Sequence, residues 1–332
     1  DFHLQEERRL FYVAVTRAKR RLYFSWAKDY GGAREKKASV FLVEAGLLPS
    51  EATRKATGKV VFSEKSSKGS KNIVYQDLPT KFSFTDISTF GKCPLEYKYR
   101  SFLKLPLPGA PQLSFGVTMH RVFQGYFEQY LREVENAQMD LFGKVSVPEY
   151  PGLEVLEKLY QDSWVDEWYV SKLQKQEYQD KGKAMLKTFY TVTLEEMAKP
   201  KYLEKTFKLK VGGYDFVGKI DRADTTPGGL AIIDYKTGKV PKTKNKGDID
   251  QLRVYQWAAG EFLGEQVESL SYWYVEENIK KEESLATSDE LISFQEKILA
   301  QIHEIVEAIK HDSFAELHDE VSEHSCQFEG FE

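Results

Sequence analysis

Apolar side chains recur every three or four residues over much of the chain and every second residue in part of its last third, so the sequence predicts both helices and strands. An amphipathic helix is predicted around residues 116–133, where Val117, Phe123 and Phe127 have helical spacing. Residues 153–198 are rich in Trp, Tyr and Lys, and we expect them to be helical throughout. Both of these stretches are therefore predicted to be helical.

Between residues 207 and 237 the apolar period shortens to two. Residues 207–211 alternate, residues 214–221 form a second run and residues 230–237 form a third. Turn-forming residues separate these runs, with two glycines at 212–213 and Thr-Thr-Pro-Gly-Gly at 225–229. The pattern predicts an antiparallel meander of three strands.

Further elements surround the meander. A helix is predicted over residues 250–263, a strand over 269–276 and a long helix over 289–310. Upstream, Ser83 or Thr85 can cap another helix. The whole pattern indicates an α+β fold of the α/β type, in which a small mixed sheet is flanked by many helices.

The first 80 residues have a different character. A helix is predicted over residues 5–20, acidic in its first turn and basic in its last, followed by a short strand over 22–26 and a short helix over 39–47. Residues 50–80 are dominated by Ser, Lys, Gly and Thr and are typical of a linker. We therefore expect an N-terminal part over 1–50, a linker over 51–80 and a large domain over 81–332.

Composition narrows the classes of protein. An apolar content of 41% in 332 residues is enough for a large core, and the sequence has no run of about 18 apolar residues that could span a membrane. Two cysteines are too few for a disulfide scaffold and suit a reducing cytoplasm. Because the chain starts with neither a signal peptide nor a Met, we expect it to be a fragment of a longer protein.

Net charge does not identify the partner. The chain carries a net charge of −4, yet lysines crowd residues 170–246 and the stretch after Glu276 is acidic. A nucleic-acid contact would therefore use a local groove rather than the field of the whole protein.

The strongest chemical pattern lies in the second and third predicted strands. Asp234 and Lys236 are two residues apart, so they share one face of a strand. If the two strands pair so that Asp221 lies opposite Asp234, two carboxylates converge and repel each other unless a cation lies between them. Such an oxygen-rich site suits Mg²⁺ or Mn²⁺, and Lys236 offers charge to a transition state. The alternative is a solvated hairpin with a weak surface ion pair.

The order Gly-Lys-Ile-Asp-Arg at 218–222, then Ile-Ile-Asp-Tyr-Lys-Thr-Gly at 232–238, resembles the PD-(D/E)XK nucleases of the RecB family. The resemblance covers residues from about 80 to 330 and implies a restriction-endonuclease-like core. It also implies that Asp221 and Asp234 bind the metal and that Lys236 is catalytic.

Other residues match the same family pattern. The resemblance implies that His120, on the helix around 116–133, is a third metal ligand, although a helical His is often simply packed or solvated. It implies that Gln251 and Tyr255, one helical turn apart, contact DNA or orient the site, with ordinary helix packing as the alternative. Arg222 is assigned the same choice of DNA binding or site orientation. Glu204, just before the first predicted strand, matches an acidic position of the relatives.

The segment 82–100 is also a family feature, in which aromatic and basic residues alternate. Its rings could stack on bases, and core packing explains them equally well. Several relatives tie this segment to the C-terminal one through a four-cysteine iron–sulfur cluster. Here only Cys93 and Cys326 occupy such positions, so we expect no iron–sulfur cluster.

The beginning of the chain carries a separate resemblance. Residues 6–19 (Glu-Glu-Arg-Arg-Leu-Phe-Tyr-Val-Ala-Val-Thr-Arg-Ala-Lys) are similar to the last conserved motif of UvrD/Rep-type helicases. By that resemblance Arg17 is the arginine that contacts the γ-phosphate of ATP. The Gly-rich phosphate-binding loop is absent, so we expect no ATPase activity. The expected partner is the rest of a helicase motor or a helicase–nuclease partner subunit.

Taken together, the sequence predicts a Mg²⁺- or Mn²⁺-dependent DNA nuclease. Its expected substrates are single-stranded DNA or DNA ends, and its expected context is a helicase–nuclease of DNA repair or recombination. The competing hypothesis is a catalytically silent, nuclease-like module that binds DNA or a partner.

Overall fold

The computed structural model divides the chain into two compact units, Asp1–Lys71 and Asn72–Glu332. Within them the structure describes residues 7–8, 10–11, 14–15, 22–24, 39–44, 78–105, 109–138, 149–242 and 246–321. Most of these residues belong to the second unit, which contains the β-sheet.

In the first unit, the described residues near the start of the chain are helical, in agreement with the helix predicted over 5–20. A short helix, α1, covers Val40–Glu44. The ring of Phe11 packs on Phe24 and Phe41, with centroids 5.6 and 5.5 Å apart. Leu22, Tyr23 and Phe24 do not form a strand, so the strand predicted over 22–26 is wrong at these residues, because Phe24 packs on the helical residue Phe11 instead of pairing. Arg17 lies outside the described residues.

The second unit contains a mixture of helices and strands, as predicted. The strands are β1 (Lys81–Ser83), β2 (Pro200–Val211), β3 (Tyr214–Thr226), β4 (Gly229–Lys236), β5 (Val267–Tyr274) and β6 (Ile279–Glu283). The helices are α2 (Phe84–Lys92), α3 (Pro94–Glu96), α4 (Pro111–Gln138), α5 (Leu153–Asp162), α6 (Lys172–Glu196), α7 (Lys246–Ala258), α8 (Ser288–His311) and α9 (Phe314–Val321). Turns of π-helix follow α3 at Tyr97–Phe102 and α7 at Ala259–Leu263.

The six strands form one mixed sheet, in which β3 pairs with three other strands. β2 pairs antiparallel with β3 along one edge. The other edge of β3 pairs in parallel with β1 near its start and antiparallel with β4 near its end. β5 continues the sheet parallel to β4, and β6 pairs antiparallel with β5. The predicted meander is therefore β2–β3–β4, embedded in a larger sheet.

The strands β3 and β4 separate before β4 ends. Their pairing runs up to Arg222 opposite Ile233, in the register under which Asp221 would fall opposite Asp234. Beyond that point β4 continues along β5, where Asp234 lies beside Tyr272. A fork therefore opens between the two strands, with Asp221 on one branch and Asp234 on the other.

Two apolar clusters cover the two faces of the sheet. Ile232 and Tyr272 belong to a cluster that includes residues of α2, α7 and α8. Ile233 and Trp273 belong to a second cluster, formed with residues of α4, α5 and α6. Because neighbouring residues of a strand point to opposite faces, each strand contributes to both clusters.

The helix predicted over 153–198 is interrupted. α5 ends at Asp162, and α6 begins after Ser171, whose hydroxyl accepts a hydrogen bond from the backbone of Gln174. The continuous helix is therefore wrong over residues 163–171. The aromatic residues that suggested it, Trp164 and Tyr169, stack on each other in the connecting segment, with ring centroids 5.4 Å apart.

The aromatic residues of segment 82–100 are core residues. Phe82, Phe90 and Tyr97 are each at most 6% exposed, so core packing and not base stacking accounts for them. Ser83, rather than Thr85, caps α2, because its hydroxyl accepts a hydrogen bond from the backbone N–H of the third helical residue.

Cys93 is buried and caps α3, where its Sγ accepts a hydrogen bond from the backbone of Glu96. Cys326 lies outside the described residues. The absence of an iron–sulfur cluster therefore stays a prediction from the sequence.

Candidate active site

Asp221 lies where β3 and β4 separate. Its Oδ2 accepts a hydrogen bond from the backbone N–H of Tyr235 at 3.0 Å. In a regular ladder an N–H that points towards the neighbouring strand bonds to a backbone carbonyl. Here the side chain of Asp221 takes that place and spans the opening of the fork. The position of this carboxylate is therefore fixed by the backbone beside Asp234.

Asp234 is held on both of its oxygens and is only 2% exposed. Its Oδ1 accepts hydrogen bonds from the hydroxyl of Tyr255 and from Nε2 of Gln251, both at 3.1 Å. Its Oδ2 lies 2.6 Å from Nζ of Lys236, and the same ammonium group donates to Oε1 of Gln251 at 3.1 Å. The structure thus brings four of the predicted site residues into one network.

The periodicity of two elements explains this network. Asp234 and Lys236 share a face of β4, and Gln251 and Tyr255 are one turn apart on α7, joined by a hydrogen bond of 2.9 Å. α7 is anchored on the sheet by buried apolar residues such as Leu252. Both pairs of polar residues therefore face each other across the gap between sheet and helix.

Burial and neighbouring charges determine the protonation of Asp234 and Tyr255. Burial, followed by repulsion from Asp221, raises the pKa of Asp234 to about 6, although Lys236 opposes both effects. Burial also raises the pKa of Tyr255 well above its ordinary value, so its hydroxyl remains a donor at neutral pH. A cation bound between two carboxylates offsets their repulsion and stabilises the charged form of both.

His120 lies between two carboxylates on the other side of the fork. Its Nδ1 is 3.3 Å from Oε1 of Glu204 and 3.6 Å from Oδ2 of Asp221. Nζ of Lys219 lies 2.9 Å from the second oxygen of Glu204. α4 presents the imidazole edge-on to the ring of Tyr235, with centroids 6.0 Å apart. The site therefore contains three carboxylates rather than the two predicted.

Glu204 lies inside β2, not before the first strand as predicted. It falls opposite Asp221, between the pairs Leu203–Arg222 and Lys205–Ile220. Its φ of 45° is the left-handed region that a residue with a side chain adopts only under strain.

The faces of β2 exchange at Glu204. Tyr202 and Phe207 contact the same apolar cluster although they are five positions apart, and Leu203 packs on the opposite one. Regular alternation would place Tyr202 and Phe207 on opposite faces. Sequence reasoning could indicate Glu204 only by the family position, because the motif has no spacing that reveals this kink.

The charges of this half of the site are coupled. Burial disfavours a charged imidazole, but hydrogen bonds with Asp221 and Glu204 outweigh burial and raise the pKa of His120 to about 10. Burial opposes ionisation of Glu204 as well, yet hydrogen bonds from His120 and Lys219 lower its pKa below the ordinary value. In the metal-free protein a proton on His120 therefore balances the carboxylates.

These side chains fit a divalent cation. His120, Glu204 and Asp221 each have a ligand atom within 4.8 Å of the other two. Asp234 is not part of that group, and its buried Oδ2 is the oxygen that pairs with the ammonium group of Lys236. One imidazole nitrogen and several carboxylate oxygens are a donor set that Mg²⁺ or Mn²⁺ accepts.

Arg222 is buried behind the site rather than exposed to a ligand. It is 1% exposed, pairs with Asp224 through two guanidinium nitrogens, and donates to the hydroxyl of Tyr235 at 3.2 Å. Its guanidinium also lies over the ring of Phe127, 4.6 Å from the centroid. In this conformation the guanidinium of Arg222 is not accessible to DNA, and its role in orienting the site stays a prediction.

Family comparisons extend over most of the chain. Residues 81–330 match the model of the PD-(D/E)XK nuclease superfamily. Residues 1–29 match the model of the UvrD-like helicase C-terminal domain. A mixed sheet with helices on both faces is the restriction-endonuclease-like core that the sequence predicts. No curated protein matches the chain significantly.

Solved structures with some likeness include a "Putative exonuclease" from Eubacterium rectale, with 12% identity and a TM-score of 0.40 over 70% of this chain and 82% of that one. Another is a protein described only as SSO0001, with 13% identity and a TM-score of 0.32 over 70% and 78% of the two chains.

None of the helices described is both long and apolar enough to cross a membrane.

Proposed function

The chain belongs to the PD-(D/E)XK nuclease superfamily, and from this premise we propose that it is a divalent-metal-dependent deoxyribonuclease acting on single-stranded DNA or DNA ends. One observation carries the proposal: Asp221, Asp234 and Lys236 converge at the fork together with His120 and Glu204. A cation would reduce the repulsion between the converging carboxylates, and an ammonium group is fixed beside them. Metal-dependent phosphodiester hydrolysis needs both of these features.

The metal-holding residues would be His120, Glu204, Asp221 and Asp234, and the cofactor Mg²⁺ or Mn²⁺. A bound divalent cation supplies Lewis-acid polarisation of the phosphodiester and activation of water. The protein fixes where these ligands lie through the Tyr235 backbone, which holds Asp221, and through Gln251, which holds Asp234.

Lys236 is proposed as the catalytic cation. Its Nζ lies 4.7 Å from the centroid of the Tyr272 ring and is held by Asp234 and Gln251, so its charge is fixed in place before substrate binds. A preorganised positive charge stabilises the negative charge that develops on phosphate oxygens in the transition state. Gln251 and Tyr255 are positioning residues that act through Asp234.

The wider context is proposed from the first residues of the chain. A match to a UvrD-like helicase C-terminal domain at residues 1–29 supports a nuclease that works beside a helicase motor in DNA repair or recombination. The rest of that motor, or a helicase–nuclease subunit, is the proposed partner. Arg17 of this chain is the residue proposed to contact a nucleotide bound by that motor. Exposed Lys239 and Lys242, just after β4, supply cations for the DNA backbone.

The test is cleavage of end-labelled single-stranded DNA by the purified chain, titrated with Mg²⁺ or Mn²⁺ and repeated in EDTA. We expect metal-dependent cleavage that Asp221→Ala and Lys236→Ala abolish. Exposed Asp162→Ala and Lys187→Ala are matched controls that keep full activity. Binding of DNA without cleavage under any divalent ion would instead favour the catalytically silent binding module.

A further inference from the structure

A cleft of about 540 Å³ opens directly beside His120 and Glu204. One wall is the first half of α4, which contributes Gln112, Leu113, Gly116 and Val117, and a second side carries Lys219. A volume of this order holds a small organic ligand rather than a single ion or water. The cleft therefore leads from the proposed metal ligands to a surface that their chemistry does not use.

The α4 wall of this cleft is apolar and exposed. Leu113 and Val117 lie one turn apart and are 59% and 44% exposed. They stand between two faces of the helix, one with His120 at the site and one with buried Ser114 and Thr118. Two large apolar side chains exposed together beside a polar site are typical of a binding surface.

The connecting segment 163–171 extends this apolar surface. It runs beside α4, because the backbone N–H of Val165 donates to the hydroxyl of Thr118 at 3.0 Å. Its Trp168 lies on Gly109, two residues before α4 begins, so closely that a Cβ on Gly109 would be 2.7 Å from the indole nitrogen. Trp168 is thus placed next to the turn of α4 that carries Leu113.

Trp168 is both exposed and strained. It is 45% exposed although it is the largest kind of apolar side chain, and its φ of 65° is in the left-handed region. A residue in that region is destabilised unless its surroundings hold it there, and such residues concentrate at ligand sites. Packing on Gly109 accounts for part of the indole, and the exposed remainder can stack on a flat ligand.

The charges next to this surface select the ligand. Arg121 lines the cleft, is exposed, and forms no ion pair with any residue that the structure describes. Lys219 lies on the opposite side. Cations that alternate with an aromatic ring and aliphatic side chains suit a chain of phosphates and bases. A base can offer its flat face to an indole only when it is not stacked inside a duplex.

Building on the nuclease function proposed above, we propose that the cleft and Trp168 form a subsite for single-stranded nucleic acid. The nucleobase nearest to the bond to be cleaved packs on Leu113 and Val117, a base further along the strand stacks on Trp168, and Arg121 contacts the phosphate backbone beside His120. The subsite delivers an unpaired strand to the residues at the fork.

The test is binding of a short fluorescent oligothymidylate in EDTA, where no cleavage occurs. Trp168→Ala is expected to weaken binding about tenfold, the loss of one stacked base, while Trp168→Phe restores most of it. Ile292→Ala removes a similarly exposed apolar side chain from α8 and is the control without effect. Mn²⁺ affinity and melting temperature of Trp168→Ala should equal those of the wild type.

Each outcome bears on one proposal. Equal affinities of wild type and Trp168→Ala overturn the subsite, whatever the cleavage assay shows. So does a loss of affinity as large for a duplex of the same length as for the single strand. Binding that depends on Trp168, in a protein that cleaves nothing with Mn²⁺, supports the subsite while the nuclease proposal fails.

Discussion

Asp234 and Glu204 are carboxylates of one site, yet the chain holds them in different ways. Asp234 lies in a regular strand, buried, with Tyr255 and Gln251 on one oxygen and Lys236 on the other. Glu204 lies at a left-handed kink in β2 and contacts only groups that carry or can carry charge, His120 and Lys219, among the described residues. We call the first set, with Asp234, Lys236, Gln251 and Tyr255, the buried half, and the second, with His120, Glu204 and Asp221, the open half.

The difference shows which half is preorganised and which half adjusts. Neutral donors and one cation satisfy the buried half without any added ion. The open half has two carboxylates around the imidazole of His120. Without a metal ion, the proton on this imidazole supplies the positive charge between them. Loss of the Glu204 charge should therefore mainly weaken metal binding, whereas changes in the buried half should mainly lower the catalytic rate.

The largest expected effect concerns the buried half. Asp234→Ala should lower the rate of single-stranded DNA cleavage by about 1000-fold or more, because it removes a ligand and leaves Lys236 without the carboxylate that positions it. The measurement is single-turnover cleavage at saturating Mn²⁺, with exposed Asp162→Ala as the control. A rate within about tenfold of wild type would place the catalytic carboxylate elsewhere.

The open half should show its effect on affinity instead. Glu204→Gln keeps the shape of the side chain but removes its charge, so we expect Mn²⁺ to bind about tenfold to a hundredfold more weakly. At saturating Mn²⁺ the cleavage rate should recover to within a few-fold of wild type. Lys219→Met is the matched control: it removes the ion-pair partner of Glu204 but no metal ligand, so its Mn²⁺ affinity should not fall. Titration calorimetry gives both affinities, and unchanged affinity in Glu204→Gln would remove Glu204 from the ligand set.

The two halves also differ in how far the sequence predicts them. The buried half follows from period: residues two apart share a face of β4, and residues four apart share a face of α7. Thr-Thr-Pro-Gly-Gly predicts the turn between β3 and β4, and the register assumed for this hairpin is the one that the strands adopt.

The open half depends on features that have no local signal. The kink at Glu204 breaks the alternation of β2, and His120 reaches it from a helix 84 residues earlier in the chain. The short strands β1 and β6 and the helix α9 also escape prediction, because the two strands are only three and five residues long and β1 pairs with a strand far along the chain. Long-range packing, not propensity, decides such elements.

The pH dependence of stability sharpens the comparison. The pKa of His120 is raised from 6.5 to about 10 in the folded, metal-free protein. The stability that this shift contributes is complete below pH 6.5 and is lost as the pH rises towards 10. We therefore expect the free energy of unfolding in EDTA to fall between about pH 7 and about pH 9, and to fall less in His120→Gln. Urea unfolding at both pH values measures the free energy of unfolding of each protein. The same decrease between the two pH values in wild type and His120→Gln would contradict the prediction.

The smallest expected effect concerns one hydrogen bond of the buried half. Tyr255→Phe removes the hydroxyl that donates to Oδ1 of Asp234, while Gln251 still donates to the same oxygen. We expect a loss of about 1 kcal/mol in the free energy of unfolding and a cleavage rate reduced by no more than about tenfold, since the carboxylate stays in place. Tyr169→Phe is a matched control, because the buried hydroxyl of Tyr169 has no hydrogen-bond partner among the described residues. Its removal should leave stability unchanged or raise it slightly. If both variants lost the same stability, the Tyr255–Asp234 hydrogen bond would contribute nothing, and the buried half would be held by Lys236 and Gln251 alone.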